Sequence, residues 1–180
     1  IPLPVFSKKA PSGAFLSSEI TYMTTTAEFI KNAWKGETLE AMKNFIRIPS
    51  KSSAFEADWE VRGELLRAVR QAESWGHQRF PEGIFDVLQK PCIPPSLYID
   101  LPAFGGHTGR PVFFYGHFDK QPETQGWSEG LGPWTPVVKD GRLYGRGSSD
   151  DGYSFYTALT AIQALEASGR PHPRIVGLFE

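Results

Sequence analysis

The sequence is poor in several features that would tie a protein to a particular class. It has one cysteine, Cys92, so it cannot form an internal disulfide, and nothing in it argues for an oxidising compartment. Its net charge of −1 leaves no basic excess of the kind that nucleic-acid-binding proteins carry. No apolar run approaches the roughly 20 residues that a membrane-spanning helix needs. We therefore expect a soluble, cytoplasmic protein that has neither nucleic acid nor a membrane as a partner.

What the sequence does contain is sufficient for one packed domain. Of its 180 residues 40% are hydrophobic and 22% charged, and it has no internal repeat or low-complexity tract. Residues 1–22 are expected to form a flexible N-terminal segment. A processed targeting segment is the alternative, because residues 1–18 carry Lys8 and Lys9 and no acidic residue, but they also lack arginine and a clear apolar core.

Hydrophobic periodicity predicts alternating helices and strands. Apolar residues at helical spacing predict helices over 27–34, 39–46, 58–75 and 153–167, with Gly76 and Gly169 ending the last two. Short apolar runs predict strands at 84–88, 97–99, 112–116, 135–138, 142–144 and 174–179, and Asp140-Gly141 predicts a hairpin between the fourth and fifth. The pattern indicates an α/β fold in which helices flank a mixed, mostly parallel sheet.

A chemically suggestive triplet follows the third strand. Val-Phe-Phe-Tyr-Gly is typical of a buried strand, and it runs directly into His117 and Asp119. Residues two apart in an extended chain point the same way, so the two side chains share a side. A neighbouring carboxylate can orient a metal-binding histidine. By itself, such a triplet is more often a strand-end histidine beside a solvated aspartate, because it is common by accident.

A second cluster lies between Leu143 and Gly152, with the sequence Leu-Tyr-Gly-Arg-Gly-Ser-Ser-Asp-Asp-Gly. Its two adjacent carboxylates, Asp150 and Asp151, stand immediately before a helical pattern. Both clusters thus lie where a strand enters a loop, which is the edge at which open α/β sheets place their sites. The two serines are interpreted as loop formers, because the cluster lacks the Gly-x-Ser-x-Gly elbow of serine hydrolases.

The two motifs together resemble a known family. Gly-His-x-Asp-x-Gln-Pro, an acidic Trp-containing loop and Leu-Tyr-Gly-Arg-Gly-x-x-Asp-Asp-Gly are similar to the di-zinc metallopeptidases that include carnosinase, non-specific dipeptidase, glutamate carboxypeptidase, aminoacylase and succinyl-diaminopimelate desuccinylase. The resemblance implies that residues 23–180 are the N-terminal part of a metallopeptidase catalytic domain. Gln121-Pro122, with Gly126-Trp127 after it, is most similar to the dipeptidase and carnosinase branch.

The resemblance also implies roles for individual residues. His117 would ligate one zinc ion, Asp150 would bridge two, and Asp119 would orient His117 at the catalytic centre, with a cis peptide bond between Asp150 and Asp151. Two Zn2+ ions, or Mn2+ or Co2+ in their place, would activate the water that attacks an amide bond. The expected substrates are small peptides or N-acyl amino acids. A lid and dimerisation domain, and a homodimer, are implied for the whole protein.

Two departures from the family pattern qualify these expectations. Gly152 follows the double aspartate, where family members often have lysine. The Glu-Glu pair that supplies the general base would lie beyond Glu180, so we expect this chain to be the front half of the catalytic domain and inactive alone.

Other functions remain open at the level of sequence. They are a non-catalytic peptide-binding relative, an amidohydrolase of the aminoacylase or desuccinylase type, and a dinuclear phosphoesterase, which would normally need additional asparagine and histidine ligands.

Overall fold

The structure, a computed structural model, describes residues 26–180, so the expectation for residues 1–22 lies outside the described part. The helices are α1 (residues 26–33), α2 (Glu37–Arg47), α3 (Trp59–Arg62), α4 (Glu64–Arg79) and α5 (Tyr153–Ala167). The strands are β1 (Ile84–Lys90), β2 (Ile93–Leu101), β3 (Val112–Gly116), β4 (Val137–Lys139), β5 (Arg142–Tyr144) and β6 (Ile175–Phe179). No helix among these residues is long and apolar enough to cross a membrane.

The main sheet is mixed, as predicted, with the strand order β1-β2-β6-β3. Its pairings are not mostly parallel, however: β2 runs antiparallel to both β1 and β6, and only β3 and β6 are parallel. The reason lies in the connections. A tight turn joins β1 to β2 and forces them antiparallel, whereas the long connection through α5 brings β6 alongside β3 in the same direction. The predicted α/β class with a mixed sheet is confirmed.

The predicted hairpin at Asp140-Gly141 is confirmed as a separate two-stranded sheet of β4 and β5. Both turn residues have positive φ, 51° for Asp140 and 72° for Gly141. Two successive residues with positive φ are typical of the turn that matches the twist of a two-residue hairpin.

One face of the main sheet carries the core. Along β2 every second residue from Pro95 to Leu101 is buried, and these side chains pack with those of α2, α4 and α5. The opposite face is largely uncovered in the described residues, and Phe113 and Tyr115 are 61% and 58% exposed there. The prediction that β3 is a buried strand was therefore wrong, because β3 lies at the edge of the sheet.

The helix predicted over 58–75 is divided in two. Gly63, with φ 69°, separates α3 from α4, and Val61, placed by sequence on the apolar stripe, is 91% exposed. Gly76 does not end the helix, which continues to Arg79. A Cβ at Gly76 would lie 2.2 Å from Phe85 Cε1, so this glycine admits an aromatic ring of β1 against the helix. By contrast, α5 has the predicted bounds, and Gly169 follows it with φ 66°.

Candidate metal centre

His117 and Asp119 leave the end of β3 together and contact each other. His117 Nδ1 lies 2.7 Å from Asp119 Oδ1 and 3.1 Å from the Asp119 carbonyl oxygen. Because both neighbours are acceptors, they favour the imidazole tautomer that carries its proton on Nδ1. Nε2 is then left with a free lone pair, which is the state a metal-binding histidine needs.

Asp150 faces the other nitrogen of the same ring. Its Oδ1 lies 3.2 Å from His117 Nε2, although the two residues come from separate loops, one after β3 and one between β5 and α5. The structure thus brings together the three side chains that the sequence singled out. The peptide bond between Asp150 and Asp151 is cis, as the resemblance predicted.

Asp151 connects the two loops, a role the sequence did not indicate. Its Oδ2 accepts hydrogen bonds from the His117 backbone N–H at 3.2 Å and from Ser154 Oγ at 3.0 Å. The close approach requires the glycine that ends β3, because a Cβ at Gly116 would lie 2.6 Å from the same oxygen. Asp151 therefore fixes the backbone of His117 relative to the start of α5.

The local charges are dominated by carboxylates. Burial by itself would lower the pKa of His117, but the Asp119 carbonyl and the carboxylates of Asp119, Asp151 and Asp150 outweigh it and hold this pKa above its ordinary value. The same negative field that favours a proton on the ring favours any other cation there. The site is therefore electrostatically suited to a metal ion.

The donor set fits one edge of a metal coordination shell. Zinc binds histidine nitrogen and carboxylate oxygen at about 2.0–2.2 Å, so two ligands at a tetrahedral angle lie about 3.3 Å apart. The separation of 3.2 Å between His117 Nε2 and Asp150 Oδ1 matches that spacing. No set of three His, Cys, Asp or Glu side chains within residues 26–180 is arranged to hold an ion. The described residues thus offer part of a shell.

A cavity of about 450 Å³ opens beside these side chains. His117, Asp119, Asp150 and Glu180 line it, with Tyr115, Pro94 and Pro95 among the other wall residues. Glu180 follows β6, and its Oε1 accepts a hydrogen bond from the Tyr115 hydroxyl. This contact raises the pKa of Tyr115. Glu180 is a further carboxylate in the cavity to which the sequence gave no role.

The two loops that form this centre lie in a region that matches a known family. Residues 113–180, which include both motifs, match the family described as Peptidase family M20/M25/M40. Over these residues the chain matches the M20 metallopeptidase family.

Similar sequences include a dipeptidase and a desuccinylase. Human Beta-Ala-His dipeptidase is 29% identical over 171 residues, covering 90% of this chain and 32% of that protein. Succinyl-diaminopimelate desuccinylase of Methylobacillus flagellatus is 42% identical over 74 residues, covering 41% of this chain and 20% of that protein. The chain thus spans a third or less of the length of these relatives.

Solved M20 structures share the fold. Human carnosine dipeptidase 1 superposes with a TM-score of 0.68 at 25% identity, covering 87% of this chain and 34% of that one. A di-peptidase from Saccharomyces cerevisiae gives the same TM-score and coverage at 21% identity. The coverage of the chain in both cases extends well beyond the two motifs.

Gly152, where this chain departs from the common M20 pattern, has a structural reason to be glycine. A Cβ there would lie 2.0 Å from Phe45 Cε1, and a Cβ at Gly147 would lie 2.7 Å from the same atom. The loop that carries Asp150 therefore packs its backbone directly on the C-terminal part of α2. A side chain at position 152 would displace this loop or the core ring beneath it.

Proposed function

We propose that the whole protein is a metal-dependent M20 hydrolase that cleaves the amide bond of dipeptides. The single observation that carries this proposal is the arrangement around His117, with Asp119 on one ring nitrogen at 2.7 Å and Asp150 on the other at 3.2 Å. In this arrangement His117 Nε2 and Asp150 would hold a divalent cation. The match to the M20 family supports the use of such a cation, with Zn2+ proposed and Mn2+ or Co2+ as alternatives.

Each of these residues has its own part in the reaction. A bound divalent metal supplies Lewis-acid chemistry, which acidifies water and polarises an amide carbonyl. Asp119 keeps the proton on His117 Nδ1 and so keeps Nε2 available as a ligand. Asp150 would be a carboxylate ligand to the bound metal, shared between two ions as the resemblance implies. The Asp151 carboxylate is fixed by hydrogen bonds from the His117 N–H and from Ser154 Oγ. The neighbouring Asp150 lines the cavity.

The proposal places residues 23–180 in the N-terminal part of a catalytic domain. The general base and the remaining metal ligands then come from residues outside this sequence. Two features support this: the described residues form only part of a coordination shell, and one face of their main sheet exposes large hydrophobic side chains such as Phe113 and Tyr115. A homodimer of the whole protein, expected from the resemblance, belongs to the same proposal.

Dipeptides are preferred as substrates because the similarity to Beta-Ala-His dipeptidase extends over 90% of the chain, against 41% for the desuccinylase. The desuccinylase match has the higher identity, 42% against 29%, and it makes N-acyl amino acids the second candidate class.

The test is a hydrolysis assay on the whole protein. Protein stripped with a chelator and then resupplied with Zn2+, Mn2+ or Co2+ is offered a β-Ala-His dipeptide, an N-succinyl amino acid and a phosphomonoester. We expect dipeptide hydrolysis to disappear on stripping and to return with metal. Hydrolysis of the phosphomonoester alone, or hydrolysis that is indifferent to metal, would contradict the proposal, and dipeptide binding without turnover would support a non-catalytic relative.

Variants make the assay specific to the site. His117→Gln should lower kcat/KM by at least about 100-fold, and Asp119→Asn should weaken metal affinity by about 10–100-fold, the usual cost of losing a partner that orients a ligand. His107→Gln is the matched control, because His107 lies in the connection between β2 and β3, where its Nδ1 accepts a hydrogen bond from the Gly109 N–H. It should leave activity unchanged.

A further inference from the structure

Lys120 is a buried cation directly after the candidate metal centre. It is 2% exposed, although lysine almost never lies fully inside a protein without a partner. The motif Gly-His-x-Asp-x-Gln-Pro leaves its position variable, so the resemblance gives it no role. Its burial beside Asp119 therefore needs an explanation from the structure.

The Lys120 ammonium binds the C-terminal end of α2. Its Nζ donates hydrogen bonds to the Phe45 carbonyl at 2.6 Å and to the Ile48 carbonyl at 2.7 Å. It also lies 3.8 Å from the centre of the Phe45 ring and 5.7 Å from that of Trp134. The same two carbonyls also accept backbone N–H groups, from Ile48 at 3.1 Å and from Ser50 at 2.9 Å. Carbonyl groups at a helix C-terminus carry partial negative charge, so a cation is favoured there. The ammonium therefore has hydrogen-bond acceptors although Lys120 is buried.

The backbone of Lys120 is bound to the segment that follows α2. Its N–H donates to the Ser50 carbonyl at 2.8 Å, and its carbonyl accepts from the Ser52 N–H at 2.9 Å. Ser50 Oγ in turn donates to the Phe118 carbonyl at 3.0 Å. The loop that carries His117 and Asp119 is thus attached to the end of α2 by both main chain and side chain.

The aliphatic stem of Lys120 supports the other loop of the centre. A Cβ at Gly147 would lie 2.9 Å from Lys120 Cε, so the backbone of the loop that leads to Asp150 rests on this stem. The same loop packs on Phe45, whose carbonyl and ring bind the ammonium. One side chain therefore lies between the loop of His117 and the loop of Asp150.

From these contacts we propose that Lys120 is a positioning residue that sets the spacing between His117 and Asp150. The inference rests on the proposed function only in treating that pair as metal ligands. Removing the ammonium takes one hydrogen bond from each of the Phe45 and Ile48 carbonyls, which then keep only their backbone N–H partners, and it frees the stem, so both loops can shift. Because metal affinity depends on ligand geometry, a change in spacing appears as weaker metal binding.

Burial lowers the pKa of Lys120 to about 7, while the nearby charge of Glu64 acts in the opposite direction. The two carbonyl acceptors, the ring face and the end of α2 also favour the protonated form. Substitutions should therefore distinguish the charge and hydrogen bonds of the side chain from its bulk.

The experiment compares three variants in the whole protein by metal affinity, in competition with a chromophoric chelator, and by dipeptide kcat and KM. Lys120→Met keeps an unbranched apolar stem but removes the charge and donors, and should weaken metal binding at least tenfold and lower kcat. Lys120→Arg keeps charge and donors and should recover most of the affinity. Lys120→Gln, whose amide still donates a hydrogen bond, should have a metal affinity between those of the other two variants. It tests the same role if the methionine variant does not fold.

Thr38→Val is the matched control. Thr38 lies on α2 as well, 1% exposed, and its hydroxyl is 3.1 Å from that of Thr160, so the variant loses a buried hydrogen bond at the other end of the helix. It should lower the thermal midpoint and leave metal affinity within twofold of wild type. If Lys120→Met and Lys120→Gln also lose only thermal stability and keep wild-type metal affinity, the proposal is overturned.

The metal titration separates this inference from the proposed function. A wild-type protein that binds metal at this centre but cleaves no dipeptide would contradict the proposed activity, and the effect of Lys120→Met on metal affinity would still decide the role of Lys120.

Discussion

Replacing Gly152 with alanine should destabilise the protein by at least about 2 kcal/mol. The backbone at Gly152, with φ −48° and ψ −24°, suits alanine, so strain in the main chain is not the cause. The added Cβ would lie 2.0 Å from Phe45 Cε1 and 2.5 Å from Cζ, whereas carbon atoms in contact prefer about 3.5–4.0 Å. Either the ring or the start of α5 must therefore move by more than 1 Å, taking the preferred spacing as the reference.

The size of the effect follows from how little Phe45 can move. Its side chain is 0% exposed, and the rings of Phe118 and Tyr156 lie 6.0 and 6.2 Å away. Overpacking a closed core costs about 1–3 kcal/mol, and this site belongs at the upper end. Gly152 is the N-cap of α5, where alanine gains nothing from helix propensity, so the expected loss is at least about 2 kcal/mol.

Urea unfolding monitored by circular dichroism measures this difference. The control is Gly132→Ala, whose added Cβ would be 3.7 Å from its nearest neighbour, Thr135 Oγ1, an ordinary contact. If Gly152→Ala unfolds within about 0.5 kcal/mol of Gly132→Ala, the size expected of a neutral surface change, the packing argument for this loop is wrong.

Two further predictions concern polar contacts away from the centre. The hydrogen bond from Arg174 holds the pKa of Asp100 below its ordinary value of 3.8, so Asp100 contributes stability above that pH and loses it as the pH falls through the lower, folded-state pKa. Asp100→Asn should therefore flatten the loss of unfolding free energy below about pH 4, and an unchanged acid profile would refute this. Gln71 donates at 3.0 Å to the hydroxyl of Tyr156, which is 0% exposed, so Gln71→Leu should cost about 1–3 kcal/mol in urea unfolding. The exposed Gln78→Leu on the same helix should cost little, and equal losses for the two would contradict the role of burial.

Local sequence was sufficient for features that depend on neighbouring residues. The bounds of α5 and the hairpin at Asp140-Gly141 were predicted, because periodicity and turn residues act within a few positions. Local sequence did not predict features that depend on contacts between residues far apart in the chain. Gly76 continues a helix because Phe85 from a strand occupies the space beside it, and nothing near Gly76 in the sequence indicates that.

In the candidate site, too, some contacts were expected from the sequence and others were not. The proximity of His117 to Asp150 was expected from strand ends meeting at one edge of a sheet, but that reason holds only for His117, because β3 belongs to the main sheet and β5, before Asp150, to the separate hairpin. The contacts of Lys120 were not, because its carbonyl partners Phe45 and Ile48 lie 75 and 72 residues away in the chain. An exposed lysine in a polar loop is the ordinary expectation for such a sequence. The role of Asp151 was not predicted either, because its partner His117 lies 34 residues away in the chain.

The most direct test of the account is an anomalous-scattering map at the zinc edge, from crystals of the whole protein grown with Zn2+. The account predicts a zinc peak within about 2.0–2.2 Å of both His117 Nε2 and an Asp150 carboxylate oxygen, with Asp119 still on Nδ1. A map in which zinc binds elsewhere and these two side chains share no ion would contradict it.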